Sequence, residues 1–306
     1  MFDTISIGSA TLDVFLKSNE FSVHTDESGE EYLQLLYGSK MDADDFALQS
    51  GGGATNTAVG LARLGLRSSV LAEIGTDLPG KIVVTELEEE GVDTSLLVRE
   101  ADEHTAISAL LIDSTGDRSV VTARGAAYML TESDLPLESL QANWIHISSV
   151  GSIGVVQKVA AHCKKKRIRF SWNPGSGELQ AFEDGQLHLS EIYPTVLFLN
   201  AEEAESIVNA GHDLETGGTT VVITEGKDGG KFYEHGKWTR FRSVETKMVQ
   251  ATGAGDAFAT GVIAAYLHDR LSSEAMRWGA QNSASVVSKM GAKTGLLRTL
   301  TGESRG

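Results

Sequence analysis

The sequence predicts an α/β protein: a mostly parallel sheet covered by helices on both faces, with a smaller β-structure set beside it. Two observations carry this. Strand-like and helix-like stretches alternate along most of the 306 residues, and repeated strand–helix–strand units imply parallel pairing, because each helix returns the chain to the same end of the sheet. Between Asp13 and Gln49 the alternation stops and polar turn signals separate two mixed segments, which fits an inserted hairpin.

The elements follow in order. A short first strand carries Ile5, Ile7 and Gly8. Val14 to Val23 and Glu31 to Leu36 then form hairpin strands around Thr25, Asp26, Glu27, Ser28 and Gly29. Lying just before a glycine-rich turn, this hairpin is either a flap over a ligand site or an ordinary surface hairpin. Gly51 to Asn56 opens an amphipathic helix with Ala58, Leu61, Ala62 and Leu64. Ser68 to Ile74 is a strand, and Leu78 to Glu90 a helix stopped by Gly91. Thr105 to Ile112 and Ser119 to Thr122 pair antiparallel around Asp113 to Asp117. Trp144 to Ser148 and Ile168 to Trp172 are buried strands flanking a helix from Val155 to Lys166. Val196 to Leu199 feeds a helix at Ala201, and Thr219 to Thr224 is a further strand. A last apolar helix starts near Asp256 and carries Ala257, Phe258, Val262, Ile263, Ala265, Tyr266 and Leu267. In such sheets ligands sit outside the carboxyl ends of the strands, so functional motifs should cluster there.

Composition narrows the function. Apolar residues at 41% and charged residues at 22% allow a full core, in one large or two ordinary domains. A net charge of −16 argues against non-specific binding to nucleic acid or anionic membrane. The lone cysteine, Cys163, precludes an intrachain disulfide and suggests a reducing compartment. Lysines 164 to 166 beside it would lower its pKa, although a helix-face thiol accounts for it equally simply. No stretch resembles a signal peptide or a membrane helix, so a cytoplasmic protein is expected. The eight histidines are scattered without i, i+4 pairs, which speaks against zinc.

The most informative segment is Ala251 to Gly261, ATGAGDAFATG. Its small residues let backbone N–H groups converge, and the following helix adds the positive end of its dipole. Together these make an anion site. Asp256 within it places a carboxylate beside any bound anion, which suits a general base next to a phosphoryl group in transit. Other motifs are weaker alone. Gly52 and Gly53 allow close backbone approach and Asn56 sits on the first helical turn, yet a glycine turn capping a helix explains them too. Asp13 offers two hydroxyl acceptors or is a solvated loop residue. Asn200 and Glu203 fit a capping box, and equally a site beside magnesium-bound water. Thr224 to Gly229 wraps phosphate or is a tight turn. Gly75 to Ile82 imitates a phosphate loop, but Ile82 stands where a hydroxyl is needed.

In order and content these motifs resemble the ribokinase-like sugar and nucleoside kinases of the PfkB family, from Gly8 to about Leu297. The resemblance implies a doubly wound α/β core, residues 1–12 and 51–300, with a β lid from 13–50 and part of 104–124. It implies Asp256 as the base, with the amides of Gly253, Ala254 and Gly255 as anion hole. Asp13, Gly52, Gly53 and Asn56 match substrate-binding positions. Asn200 and Glu203 match a magnesium and phosphate motif, with Glu203 as the metal-side carboxylate. Thr224, Gly226 and Gly229 match a nucleotide loop, and Asn282 a position lining an adenine pocket near Lys289 to Ala292. ATP and Mg2+ are the implied cofactors. The family's C-terminal motif usually opens with an aspartate, and this chain has Ala251 ahead of Thr252, so potassium dependence should be weak or absent.

The acceptor implied is a hydroxymethyl group of a sugar or nucleoside. Phe15, Phe21, Tyr32, Leu33, Leu35 and Tyr37 would line a base slot, or form a lid-to-lid homodimer contact. A phosphosugar acceptor would call on Lys17, Lys40, Arg118 or Arg124. The rival class is a sugar- or nucleoside-binding regulator without turnover, which Asp256, Gly253 and Gly255 argue against.

Overall fold

The computed structural model describes residues 1–215 and 217–300. Its first strands are β1 (Phe2–Gly8), β2 (Thr11–Lys17), β3 (Ser22–Thr25), β4 (Glu31–Gln34) and β5 (Asp45–Gly51). After α1 (Gly53–Arg63) come β6 (Ser68–Leu71), β7 (Glu73–Gly75), α2 (Leu78–Glu89), β8 (Val98–Glu100), β9 (Ala106–Ile112) and β10 (Arg118–Ala123). The middle of the chain holds β11 (Ala142–Ser148), α3 (Ile153–Lys166), β12 (Arg169–Asn173), α4 (Ser176–Glu183) and α5 (Leu189–Ile192). Next are β13 (Val196–Asn200), α6 (Ala201–Asn209), β14 (Thr220–Thr224), β15 (Gly230–Glu234) and β16 (Lys237–Phe241), and finally α7 (Ala254–Leu267) and α8 (Ser272–Val287).

An eight-stranded sheet runs β16-β15-β14-β13-β12-β11-β1-β6. The pairs from β6 to β14 are parallel, and β15 and β16 add an antiparallel edge. Strands such as β6 and the middle of β13 are buried throughout, as expected of a sheet covered on both faces. One face packs Ile5, Ile145, Trp172 and Leu197 against α3 and α4. Trp144, Val196, Phe198 and Val222 on the other meet Phe258, Val262 and Met276. The helix α7 is buried from Ala257 to Ala265, so small residues fill the helix where its neighbours press close.

A second sheet, β10-β9-β2-β5, stands apart. Two of its pairings are antiparallel, and β2–β9 is parallel. Cross-strand partners share a face, so the register sorts this sheet cleanly. Gln49, Asp13, Ser108 and Thr122 form a polar row on one face, while Leu48, Val14, Ala109 and Val121 lie opposite on the other.

Three local expectations change. Val14 to Val23 is not one strand: β2 ends at Lys17, and β3 pairs with β4 in a separate two-stranded hairpin. Ser18 causes the break, because its hydroxyl donates to Asp42 O at 2.8 Å and accepts from Glu20 N at 3.1 Å. Ser68 to Ile74 divides at Ala72, where β7 leaves the main sheet to pair with β8. Cys163 is buried, and that burial pushes its thiol up to about 12, which overrides the neighbouring lysines. Among the described residues no helix is long and apolar enough to cross a membrane.

Asp77 ties the start of α2 to the entry of β9. It caps α2 by accepting Gly80 N at 3.0 Å, and it also accepts Thr105 N and Oγ1 at 3.0 and 2.6 Å, just ahead of β9. Asp77→Ala strands the Gly80 and Thr105 amides, while Thr105 Oγ1 keeps only the long contact to Gly75 O at 3.5 Å. Urea unfolding of the variant should show a loss of about 2–3 kcal/mol, the sum of a lost cap and a stranded donor.

Candidate active site

The carboxyl ends of β1, β11, β12, β13 and β14 open on one side of the main sheet, at Gly8, Ser148, Asn173, Asn200 and Thr224. The helices that begin there point their N-termini at the same space. Gly53 and Ala254 start α1 and α7, and the two helices pack side by side through Gly60, where a Cβ would lie 2.7 Å from Thr260 Cγ2.

This packing brings together residues 200 positions apart: Asn56 Nδ2 donates to Asp256 Oδ2 at 2.8 Å. Gly53 lies close by, where a Cβ would sit 2.3 Å from Ser148 Oγ and 3.3 Å from Asp256 Oδ1. Asp256 keeps some solvent contact at the cleft floor. Burial nonetheless holds its carboxyl above the ordinary carboxylate range; the Asn56 amide and the Lys293 ammonium pull it down, and Asp13 pushes it up. Asp13 is buried on the inner face of the small sheet rather than solvated, and accepts Thr11 Oγ1 at 2.7 Å. Burial raises its pKa as well, against Thr11, Lys293 and Ser108.

The loop before α7 is shaped by two features. Gly253 caps the helix with φ at 79°, a left-handed conformation that favours glycine. Gln250, which is fully buried, knots the loop: its Oε1 accepts Thr252 N at 2.5 Å, and its Nε2 donates to the carbonyls of Thr252, Lys289 and Gly291 at 3.1, 3.3 and 3.4 Å. Of the expected anion hole, Ala254 N is engaged, reaching Ala251 O at 3.3 Å. The amides of Gly253, Gly255 and Asp256 make no hydrogen bond among the described residues, so they remain open to an anion.

Against this loop lies a cavity of about 360 Å³. Thr224, Gly226 and Gly229 line it from one side and Ala251, Ala254 and Gly255 from the other, with Phe241, Val244, Met248 and Phe258 as apolar walls. Its size and apolar lining suit a flat organic ring. Gly229 has φ at 85° in the turn that leads into β15. Asn282 is not on the wall. It is fully buried, donating to Ala257 O at 2.8 Å and accepting Leu297 N at 2.9 Å, while Ser283 and Ala284 on the next helical positions face the cavity.

Asn200 and Glu203 form the capping box, with reciprocal bonds of 2.8 Å. Burial raises the Glu203 pKa, and Asn200 N lowers it. Thr224 is Asn200's register partner, which sets this pair beside the cavity. The sequence reading missed Gln250, Ser108 and above all Lys293, a fully buried lysine among Gly291, Ala292 and Gly295. A charged residue amid small and apolar ones was the available signal. The six residues expected to line a base slot do not meet in one place: Leu33, Leu35 and Tyr37 line a hollow beside the β3–β4 hairpin, away from Phe15. Phe15 packs inside the small sheet with Leu110 and Ile112, and Tyr37 is fully exposed. Arg124 is exposed, lying 4.5 Å over the Tyr128 ring.

Residues 3–299 match the pfkB family carbohydrate kinase model. A ribokinase of Haemophilus influenzae is 26% identical over 272 residues, covering 85% of this chain and 88% of its own length. A nucleoside kinase of Methanothermobacter thermautotrophicus is 24% identical over 300 residues, covering 96% and 92%. The structure of Arabidopsis thaliana ribokinase complexed with ribose and ATP superposes with a TM-score of 0.75 at 18% identity, over 97% of this chain and 96% of that one. The fold is therefore ribokinase-like.

Proposed function

The chain belongs to the pfkB family of carbohydrate kinases, and from that premise we propose that it transfers the γ-phosphoryl group of ATP to a hydroxymethyl group of a sugar or nucleoside. The observation that carries this reading is the Asn56–Asp256 contact beside the open amides of Gly253 and Gly255. Asp256 takes the acceptor hydroxyl's proton as its oxygen attacks the γ-phosphorus. The bond to the β,γ-bridging oxygen breaks, and ADP leaves. The free amides and the α7 dipole stabilise charge on the transferring group, the largest contribution in such reactions. The Thr224 to Gly229 turn and the apolar cavity hold the nucleotide.

Asp13, Ser108 and Gln49 form the polar row over the site and suit the hydroxyls of a sugar ring. A nucleoside is the second reading, supported by the similarity to a nucleoside kinase. We infer that the small sheet, residues 13–50 with part of 104–124, acts as the lid.

Glu203 fits magnesium held through water. One of its oxygens accepts Asn200 N and the other is open, and among the described residues no cluster of three or more acidic, histidine or cysteine side chains forms a direct cage. Glu203, beside Asn200, would hold such an ion through water, and the ion would supply neutralisation of phosphate charge. Potassium fits poorly, because the Gln250 amide already fills the point where three carbonyls converge.

The lid's outer face supports a homodimer: Phe46, Leu48 and Val121 are 68%, 49% and 65% exposed on one side of the sheet. Isolated exposed apolar residues are common, but a contiguous stripe marks an interaction surface.

Three outcomes test these readings. Incubation with ATP, magnesium and a panel of sugars and nucleosides should release ADP with at least one acceptor, and Asp256→Asn should lower kcat by about 10²–10⁴-fold with substrate binding kept; equal rates would reject the base, and no ADP with any acceptor would favour a regulator. Replacing potassium by choline should leave the rate within about twofold, the scatter expected where no cation site contributes. Light scattering should give twice the chain mass for wild type and one chain mass for Phe46→Glu/Val121→Glu.

A further inference from the structure

We propose that Lys293 is a positioning residue of the phosphotransfer site, its buried ammonium clamping the end of the lid strand β5 onto the first turn of α1 so that Asp13 and Asp256 face the acceptor as carboxylates. This rests on the kinase reading above and adds a residue that reading does not use.

The geometry is specific. Lys293 is 2% exposed. Its Nζ donates to Ser50 O at 2.5 Å, to Ser50 Oγ, and to Thr55 Oγ1 at 2.9 Å. Ser50 is the penultimate residue of β5 and Thr55 lies one residue before Asn56, so a single ammonium joins that strand's end to the helix start across the glycine turn. Its backbone N also donates to Gln49 Oε1 at 3.3 Å, which extends the tie to the polar row. An ammonium with three donors matches three oxygens on two elements, and no neutral side chain supplies both the donors and the charge.

The charge is as telling as the bonds. Burying a lysine is costly unless negative groups surround it. Facing Lys293 are Glu86 from α2 at 3.9 Å, Asp13 from β2 and Asp256 from α7, with Arg63 of α1 as the opposing cation; Glu90 is paired with Arg63 and feels Lys293 weakly. Burial lowers the Lys293 pKa and the carboxylates offset part of that fall, leaving it at about 8, so the ammonium form prevails at neutral pH. The two site aspartates both gain from it: Lys293 is among the influences holding each one down against burial.

The test pairs a titration with kinetics. Carbon-13 carboxyl titration of the intact protein, assigned with Asp13→Asn and Asp256→Asn, should show the pKa of each aspartate rising in Lys293→Met, because removing a nearby positive charge makes protonation easier. The acid limb of kcat/KM for the acceptor should move the same way, to higher pH, with kcat/KM falling about 10²-fold as the acceptor is misplaced and the KM for ATP unchanged. Lys293→Arg should restore the acid limb. Lys293→Gln keeps amide donors for Ser50 and Thr55, so it retains the fold should the methionine variant fail, and it should reproduce the titration shift. Unmoved carboxyl titrations, or a loss confined to melting temperature, would overturn the proposal. Wild-type protein that releases no ADP rejects the kinase reading alone, since the carboxyl titration still reports on Lys293.

Discussion

The hydrogen bond from Asn56 to Asp256 is the contact on which the rest of the site depends. It forms only if α1 and α7 run close enough for their first turns to meet, and Gly60 against Thr260 is what permits that distance. Two helix N-termini then face one cleft, and their positive ends make the space favourable for phosphate in a protein of net charge −16. The main sheet serves this meeting. Its strands end together, and the loops leaving them deliver Ser148, Asn173, Asn200 and Thr224 to the same rim.

Charge in the site is balanced by a few buried groups rather than by a basic surface. Asp13 and Asp256 are both held above the usual carboxylate range by burial, and each is answered by a donor: Thr11 for the first, Asn56 for the second, with Lys293 near both. The Gln250 amide plays a comparable part for the backbone, tying Thr252 to the turn at Lys289 and Gly291. A neutral amide thus ties three carbonyls and one N–H with no charge of its own.

Much of this was legible from local pattern. The alternation of strands and helices gave the parallel sheet, and the ATGAGDAFATG segment marked the helix start where the Gly253 and Gly255 amides stand free beside Asp256. Residues whose role comes from distant partners were harder. Asn282 sits on the right helix, but its neighbours Ala257 and Leu297 draw its amide inward, a contact that no local pattern reveals. Lys293 bonds to residues more than 230 positions away, so its burial was hidden until the lid strand and α1 were placed beside it. The break at Ser18 depends on Asp42, across a turn whose closure the hydrophobic pattern does not encode.

The helix that presents Asp256 has no solvent face between Ala257 and Ala265, whereas Thr122 lies exposed on β10, an edge strand of the small sheet. Mutational drift is therefore channelled unequally. Change in α7 disturbs packing at once, while exchange at an exposed strand position such as Thr122 carries no such packing penalty.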